Sequence, residues 1–142
     1  MINFIPGLPS TASALNAERI RMEVVGQNIA NANSSRGPNG KPYERQQVQF
    51  ETVLAAKRDG LTGTGASQVR VSGITTDHRA PRLVYRPGDP DANARGMVSL
   101  PDINIHEEMA DLISSSRAFE ANLSVVKNAR SMALQTLSIG KR

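Results

Sequence analysis

The chain has 142 residues, with no cysteine or tryptophan, three Phe and two Tyr, and 17 basic residues against 13 acidic ones for a net charge of +4. That length suits one domain, but the few aromatics supply little core, and the lack of cysteine excludes disulfides and thiolate metal sites. The charge excess is local: residues 1–35 carry two basic and two acidic residues, 96–142 five of each, and 36–95 ten basic against six acidic.

Residues 1–14 lack a basic n-region and an apolar h-region, because Pro6, Gly7, Pro9 and Ser10 interrupt any such run. No stretch is apolar enough to predict a transmembrane span. The expectation is a chain that stays in the cytoplasm or leaves by a route that cleaves nothing.

The first helical pattern covers 8–33. Leu8, Leu15, Met22 and Ile29 recur seven apart, with Val25 and Ala32 as the later complementary positions, which is heptad spacing. Ser10 is the expected N-cap, after which Thr11 to about Ala32 run without proline. Gly26 breaks the middle at about 1 kcal/mol against alanine, and reads either as a close-approach point or as a tolerated weak spot. The segment ends in Asn, Asn, Ser, Ser, Arg, Gly and Pro, whose side chains can tie down terminal backbone groups.

The middle reads as short strands and turns. Asn39-Gly40 is a turn signal, Val48, Phe50 and Leu54 alternate with polar neighbours, and residues 57–68 have no periodicity and predict a mobile loop. Val69, Val71 and Ile74 mark a second strand, Leu83-Val84-Tyr85 a third, and Met97-Val98-Ser99-Leu100 a fourth. Pro87 and Pro90 stiffen the turn between the last two.

Asn104 opens the longest helix, with a capping box in which Asn104 accepts from the Glu107 amide and the Glu107 carboxylate reaches back. Glu107, Glu108 and Asp111 suit the positive end of the helix dipole, and Gly140 suits its stop. Met109, Leu112, Phe119, Leu123, Val126, Ala133 and Leu137 fall on a heptad seam whose polar positions are Ser116 and Arg130. About 35 residues make a rod of roughly 50 Å. Val125, Ala129, Met132 and Ile139 form a second stripe, with Leu134 between the two. A helix apolar on two sides must bury both, and the chain has too few other helices to cover them. The balance therefore favours packing between subunits.

The fold class is α+β: long N- and C-terminal helices pairing as a coiled-coil stalk, with a small antiparallel β module between them. Its parts are 1–35 and 104–142 for the stalk and 36–103 for the module with its Gly/Pro-rich loops.

The run SALNAERIRMEVVGQNIANANS (13–34) resembles the N-terminal signature of the bacterial flagellar axial family of rod, hook and hook-associated proteins. Asn28, Ala30, Asn31 and Ser34 match its NxANxxT motif, with serine where threonine is common. LVYRPGDPDANARGMVSLPDINIHEEMADL (83–112) is similar to a stretch diagnostic of the proximal rod members, through Tyr85, Pro87, Gly88, Pro90, Ala92, Gly96, Val98 and Pro101, with Met97 where an aromatic is usual. Arg117, Phe119, Ala121 and Asn122 match the SR-x-[FY]-x-AN pattern of the closing helix. Residues 51–82 carry little of the resemblance.

The resemblance implies a structural subunit of the proximal rod of the flagellar basal body, exported unfolded and uncleaved through the flagellar type III apparatus and assembled in the periplasm. Its implied partners are other rod proteins, copies of itself, the basal-body membrane ring and the export apparatus. The subunit interface is expected at Leu8, Leu15, Met22, Val25, Ile29, Met109, Leu112, Phe119, Leu123, Val126, Ala133 and Leu137. No cofactor, metal, small-molecule ligand or nucleic acid is expected. Catalysis finds no support: His78 and His106 have no ligand-like neighbours, HEEMAD lacks the second histidine of a zinc-protease motif, and GTG at 63–65 lacks a strand-to-helix context.

Two alternatives stand beside this reading. Arg70, Arg79, Arg82, Arg86 and Arg95 would suit a phosphate-binding surface, although acidic residues interleave and no aromatic stacking platform is present. A coiled-coil adaptor explains the helices but not the pattern in the middle.

Overall fold

A helix of 24 residues, α1 (Leu8–Asn31), comes first among the described elements, and one of 35 residues, α2 (Ile105–Ile139), comes last. The computed structural model describes residues 7–37, 39–54 and 67–140. Between the helices lie β1 (Gln46–Leu54), β2 (Ser67–Thr76), β3 (Arg82–Tyr85) and β4 (Met97–Leu100), paired β1 with β2 and β3 with β4 as two antiparallel hairpins. The class is α+β, with the predicted helices at both ends and the β module between.

α1 starts earlier than the expected cap at Ser10. Its N-cap is Gly7, which offers no side-chain hydrogen bond, while the Thr11 amide and hydroxyl both donate to the Gly7 carbonyl at 3.1 and 3.0 Å. Pro9 makes the early start inexpensive, because first-turn amides lack intrahelical partners and proline has none to leave idle. At the other end Asn31 donates to the Gln27 carbonyl at 2.9 Å and accepts the Ser34 hydroxyl at 3.3 Å, the capping use predicted for an Asn of this motif. A Cβ built on Gly26 meets nothing within 4 Å, so this glycine serves no close contact among the described residues.

The β1–β2 ladder runs from Gln46 opposite Thr76 to Leu54 opposite Ser67. Its register shifts between Gln49 and Phe50, where Ser72 stands unpaired and its hydroxyl donates back to the Gln49 carbonyl at 3.1 Å. This bulge turns the strand locally and increases its twist. Ser67 and Gln68 belong to β2 rather than to the predicted loop, whose residues 57–66 lie outside the described ones.

The turn joining β3 to β4 is tied by its own polar groups. Asn93 Oδ1 accepts from the amides of Arg95 and Met97, and Gly96 donates to the Asn93 carbonyl at 2.8 Å. Gly96 has φ +70°, and a Cβ there would lie 2.9 Å from the Tyr85 ring and 3.1 Å from the Pro87 Cβ. Only glycine fits both the backbone and the space. In β4, Val98 and Leu100 are fully buried, and Pro101 and Ile103 continue the buried run to the start of α2.

Asn104 caps α2 as predicted but with a different partner. Its Oδ1 accepts from the His106 amide at 3.1 Å, while its Nδ2 donates to Glu107 Oε1 at 3.0 Å. The two helices pack antiparallel, since Asn28 meets Glu108 and Arg21 meets Asp111. α2 is longer by 11 residues, 35 against 24, so its C-terminal part runs on past the start of α1.

Candidate assembly surface and the joint that orients it

The buried and half-buried residues of α2 include the row Glu108, Leu112, Ser115, Phe119, Asn122, Val126, Ala129 and Ala133. Their spacing alternates four and three, so the contact with α1 is a heptad seam. The row Leu112, Phe119, Val126 and Ala133 is the one expected from sequence. The second row of the intramolecular seam is Glu108, Ser115, Asn122 and Ala129, one residue before the predicted Met109, Ser116, Leu123 and Arg130. The residues of this row are small or polar, and the buried Ser115 hydroxyl has no hydrogen-bond partner among the described residues.

From Met109 onward the other large apolar side chains of α2 are outward. Met109, Ile113, Leu123, Val125, Met132, Leu134, Leu137 and Ile139 are all exposed, reaching 62% at Met132 and 76% at Ile139. Met109, Ile113, Leu123, Leu134 and Leu137 run along one flank of the helix, and Val125, Met132 and Ile139 along another at seven-residue spacing. Scattered exposed apolar residues are ordinary, but two stripes on one helix mark an interaction surface. On α1, Val25 is buried and Leu8, Leu15, Met22 and Ile29 are half-buried, while Ala17, Val24 and Asn28 complete its buried set and Ala32, just past its end, is buried too.

At the end of the stalk where the β module joins, a polar cluster replaces apolar packing. Asn28 and Glu108 are each 1% exposed. Asn28 Nδ2 donates to the Gln46 carbonyl at 2.8 Å and to Glu108 Oε2 at 2.9 Å, and its Oδ1 accepts from the Gln46 amide at 2.9 Å and the Tyr43 hydroxyl at 3.0 Å. Arg45 Nε reaches Glu108 Oε1 at 2.7 Å and its Nη2 the same oxygen at 2.6 Å. Asp77 receives Arg79 Nε at 2.9 Å, and its amide donates to the Arg45 carbonyl at 2.7 Å. Asn28 thus joins α1, the entry to β1 and α2 in one set of satisfied hydrogen bonds. Burial, and then the Glu108 carboxylate nearby, raise the Tyr43 hydroxyl above its ordinary pKa of 10.0.

The remaining motif residues are tied to the same end. Ser35 donates to Asp91 Oδ2 at 2.8 Å and Arg36 pairs with Asp91 Oδ1 at 2.9 Å, which fastens the exit of α1 to the Pro87–Pro90 turn. Gly88 and Pro90 are exposed, and Tyr85 packs its ring edge over Gly96. Ala30 and Arg117 are exposed, and Asn122 lies in the intramolecular seam. Sequence reasoning missed Glu108 and Arg45. The available signal was slight: Asn28 stands among the apolar Val24, Val25 and Ile29 of α1, whereas Glu108 lies in a row of small and polar residues.

A family model described as "Flagella basal body rod protein" matches residues 8–38, which are α1 and its exit. A second, "Flagellar basal body rod FlgEFG protein C-terminal", matches 94–139, which take in β4 and α2. Over its length the chain is similar to the flagellar basal-body rod protein FlgC of Bacillus subtilis (strain 168), 41% identical over 142 residues with 92% of this chain and 94% of the relative covered. It is 41% identical to the protein of that name from Yersinia enterocolitica and 37% to that from Salmonella typhimurium (strain LT2), each over 129 residues with 91% of this chain and 92% of the relative covered. With both helical ends matching rod-protein models and near-complete coverage of its relatives, the chain belongs to the FlgC family of flagellar basal-body rod proteins.

Proposed function

We propose that this chain is a structural subunit of the proximal rod of the bacterial flagellum, joined to its neighbours through the outward stripes of its terminal helices. The observation that carries this is α2, which keeps eight large apolar side chains from Met109 to Ile139 exposed beyond the Leu112, Phe119 and Val126 row that packs towards α1. A stripe left outward in the single chain gains its burial only when another subunit covers it, and binding of neighbours then stabilises the folded state by mass action. The neighbours are copies of the same chain and other rod proteins.

The same reading places the assembled subunit in the periplasm, delivered uncleaved through the flagellar export apparatus. A chain that must travel unfolded is suited by a thin core and by helices completed in the assembly. The buried apolar residues are few and mostly small, with Ala17, Val24, Val25, Ala32 and Ala129 along the helices.

Leu134→Glu tests the reading in cells that lack the native chain. Leu134 is exposed, so the variant folds and is exported, but its carboxylate would enter a desolvated interface where an unpaired charge is strongly disfavoured. Basal bodies should lack the subunit and the cells should not swim, whereas Ser124→Glu, at an exposed polar position flanked on the helix by Glu120, Ala121, Lys127 and Asn128, should swim. Normal incorporation of Leu134→Glu would remove α2 from the interface.

A further inference from the structure

The β1–β2 hairpin packs against α1 and, among the described residues, neither of its strands packs against α2. Two hydrogen-bonded points hold it there. At one end Asn28 binds both backbone groups of Gln46, and at the other the Val69 amide donates to the Ser13 hydroxyl at 3.2 Å. Both points lie on the same helix, so the line joining them is an axis about which the hairpin can roll. The packing leaves room for that motion, because hollows of about 340 and 450 Å³ flank the hairpin. The first is lined by Val24, Val25, Phe50 and Asp111, and the second by Asn16, Ile20, Val53 and Val71.

A hairpin held at two points on one helix gains a fixed direction from a further contact, at one of those points, to a second element. Among the described residues, the hydrogen-bonded link from the root of the hairpin to α2 is Arg45, whose guanidinium holds Glu108 on the second helix. We propose that the Arg45–Glu108 pair is a positioning device that fixes the direction of the β1–β2 hairpin relative to the helix pair. Buried ion pairs contribute little net stability against apolar residues of similar size, yet they accept few alternative geometries, so the pair's contribution is to direction. The partners leave little freedom: Glu108 Oε2 is held by Asn28, and the chain at Arg45 is fixed through its carbonyl to the Asp77 amide. This goes beyond the rod reading, and it concerns the isolated chain whether or not that chain enters a rod.

The lack of native cysteines permits spin labels to be placed cleanly at Thr52→Cys on the hairpin and Ser124→Cys on α2, far from the pair. Gln27→Cys with Ser114→Cys reports the helix pair alone. In the otherwise native chain the first distance should form one narrow population. Arg45→Met with Glu108→Leu leaves Asn28 bonded to Gln46 and should keep the helical circular dichroism and the unfolding midpoint. The Thr52–Ser124 distribution should at least double in width, with the Gln27–Ser114 distance unchanged. Arg45→Lys, which keeps a charge within reach of Glu108, should bring the narrow population back. A narrow distribution in the double variant overturns the proposal, as does an Arg45→Lys distribution as wide as the double variant's. Should the double variant fail to fold, Arg45→Met with Glu108→Gln, which leaves no unpaired charge and keeps an acceptor for Asn28, decides: a widened hairpin distance supports the proposal and a narrow one refutes it.

Discussion

Asn28→Ala should be the most damaging single truncation in the stalk. The side chain makes four hydrogen bonds from a site that is 1% exposed. Without it Glu108 keeps Arg45 and the half-buried Tyr43 hydroxyl can turn to water, but the Gln46 amide and carbonyl lose their partner. Each orphaned buried group costs about 1–3 kcal/mol, and replacing Asn by Ala within a helix returns about 0.5 kcal/mol. The net loss is therefore about 2–5 kcal/mol, a large share of the roughly 5–15 kcal/mol that holds a domain together. Asn31→Ala is the internal comparison. That residue caps the helix from a half-exposed position, and its loss should cost about 0.5–2 kcal/mol. Urea unfolding followed by circular dichroism reads both, with an unchanged slope showing that the same surface is exposed. If Asn28→Ala is no worse than Asn31→Ala, the joint does not hold the stalk and module together.

Four further outcomes follow from other sites. Gly96→Ala combines a φ of +70° with a 2.9 Å approach to Tyr85 and should destabilise by about 1–3 kcal/mol, whereas Gly88→Ala, with nothing within 4 Å, should be within about 0.5 kcal/mol of the native chain. Ser115→Ala removes a buried hydroxyl that has no partner among the described residues and should be neutral or stabilising by up to about 1 kcal/mol, so a clear loss of stability in urea unfolding would contradict this. Because the folded pKa of Tyr43 is raised above its unfolded value, its contribution is full below about pH 10 and lost as pH rises through the folded pKa. In a Tyr85→Phe background, tyrosinate absorbance should appear at higher pH in the folded chain than in urea, and identical titrations would contradict the burial of Tyr43. Limited proteolysis of the dilute chain should trim α2 beyond Ala133 before it cuts between Ala17 and Asn28, and the reverse order would contradict the packing described.

The elements themselves were legible because their signals are local. Period-two alternation located β1 and β2, the Pro/Gly-rich turn separated β3 from β4, and Asn104 marked the start of α2. The rotation of α2 was not legible. Ranking its rows by side-chain size selects Met109, Leu123 and Leu137, yet α1 lies against the row of Glu108, Ser115, Asn122 and Ala129. Close helix packing favours small residues, and their apolar contribution is too slight to stand out in a hydropathy pattern. The joint was hidden for a different reason. Asn28 and Glu108 lie 80 residues apart, and each alone reads as a helix-end residue. Only Asn31 fills that role; Asn28 is a bridge among three elements.

The account rests on the claim that the outward stripes of α2 are covered in the assembled rod. Maleimide labelling of single cysteines at Met132, Leu134 and Ile139 measures this directly, since the native chain has no cysteine to interfere. All three positions are exposed in the isolated chain and should react readily there. In purified basal bodies, with the variant incorporated and swimming retained, labelling should fall at least ten-fold, corresponding to about 1.4 kcal/mol or more of protection. Labelling at all three positions as fast in the rod as in the isolated chain would contradict the account.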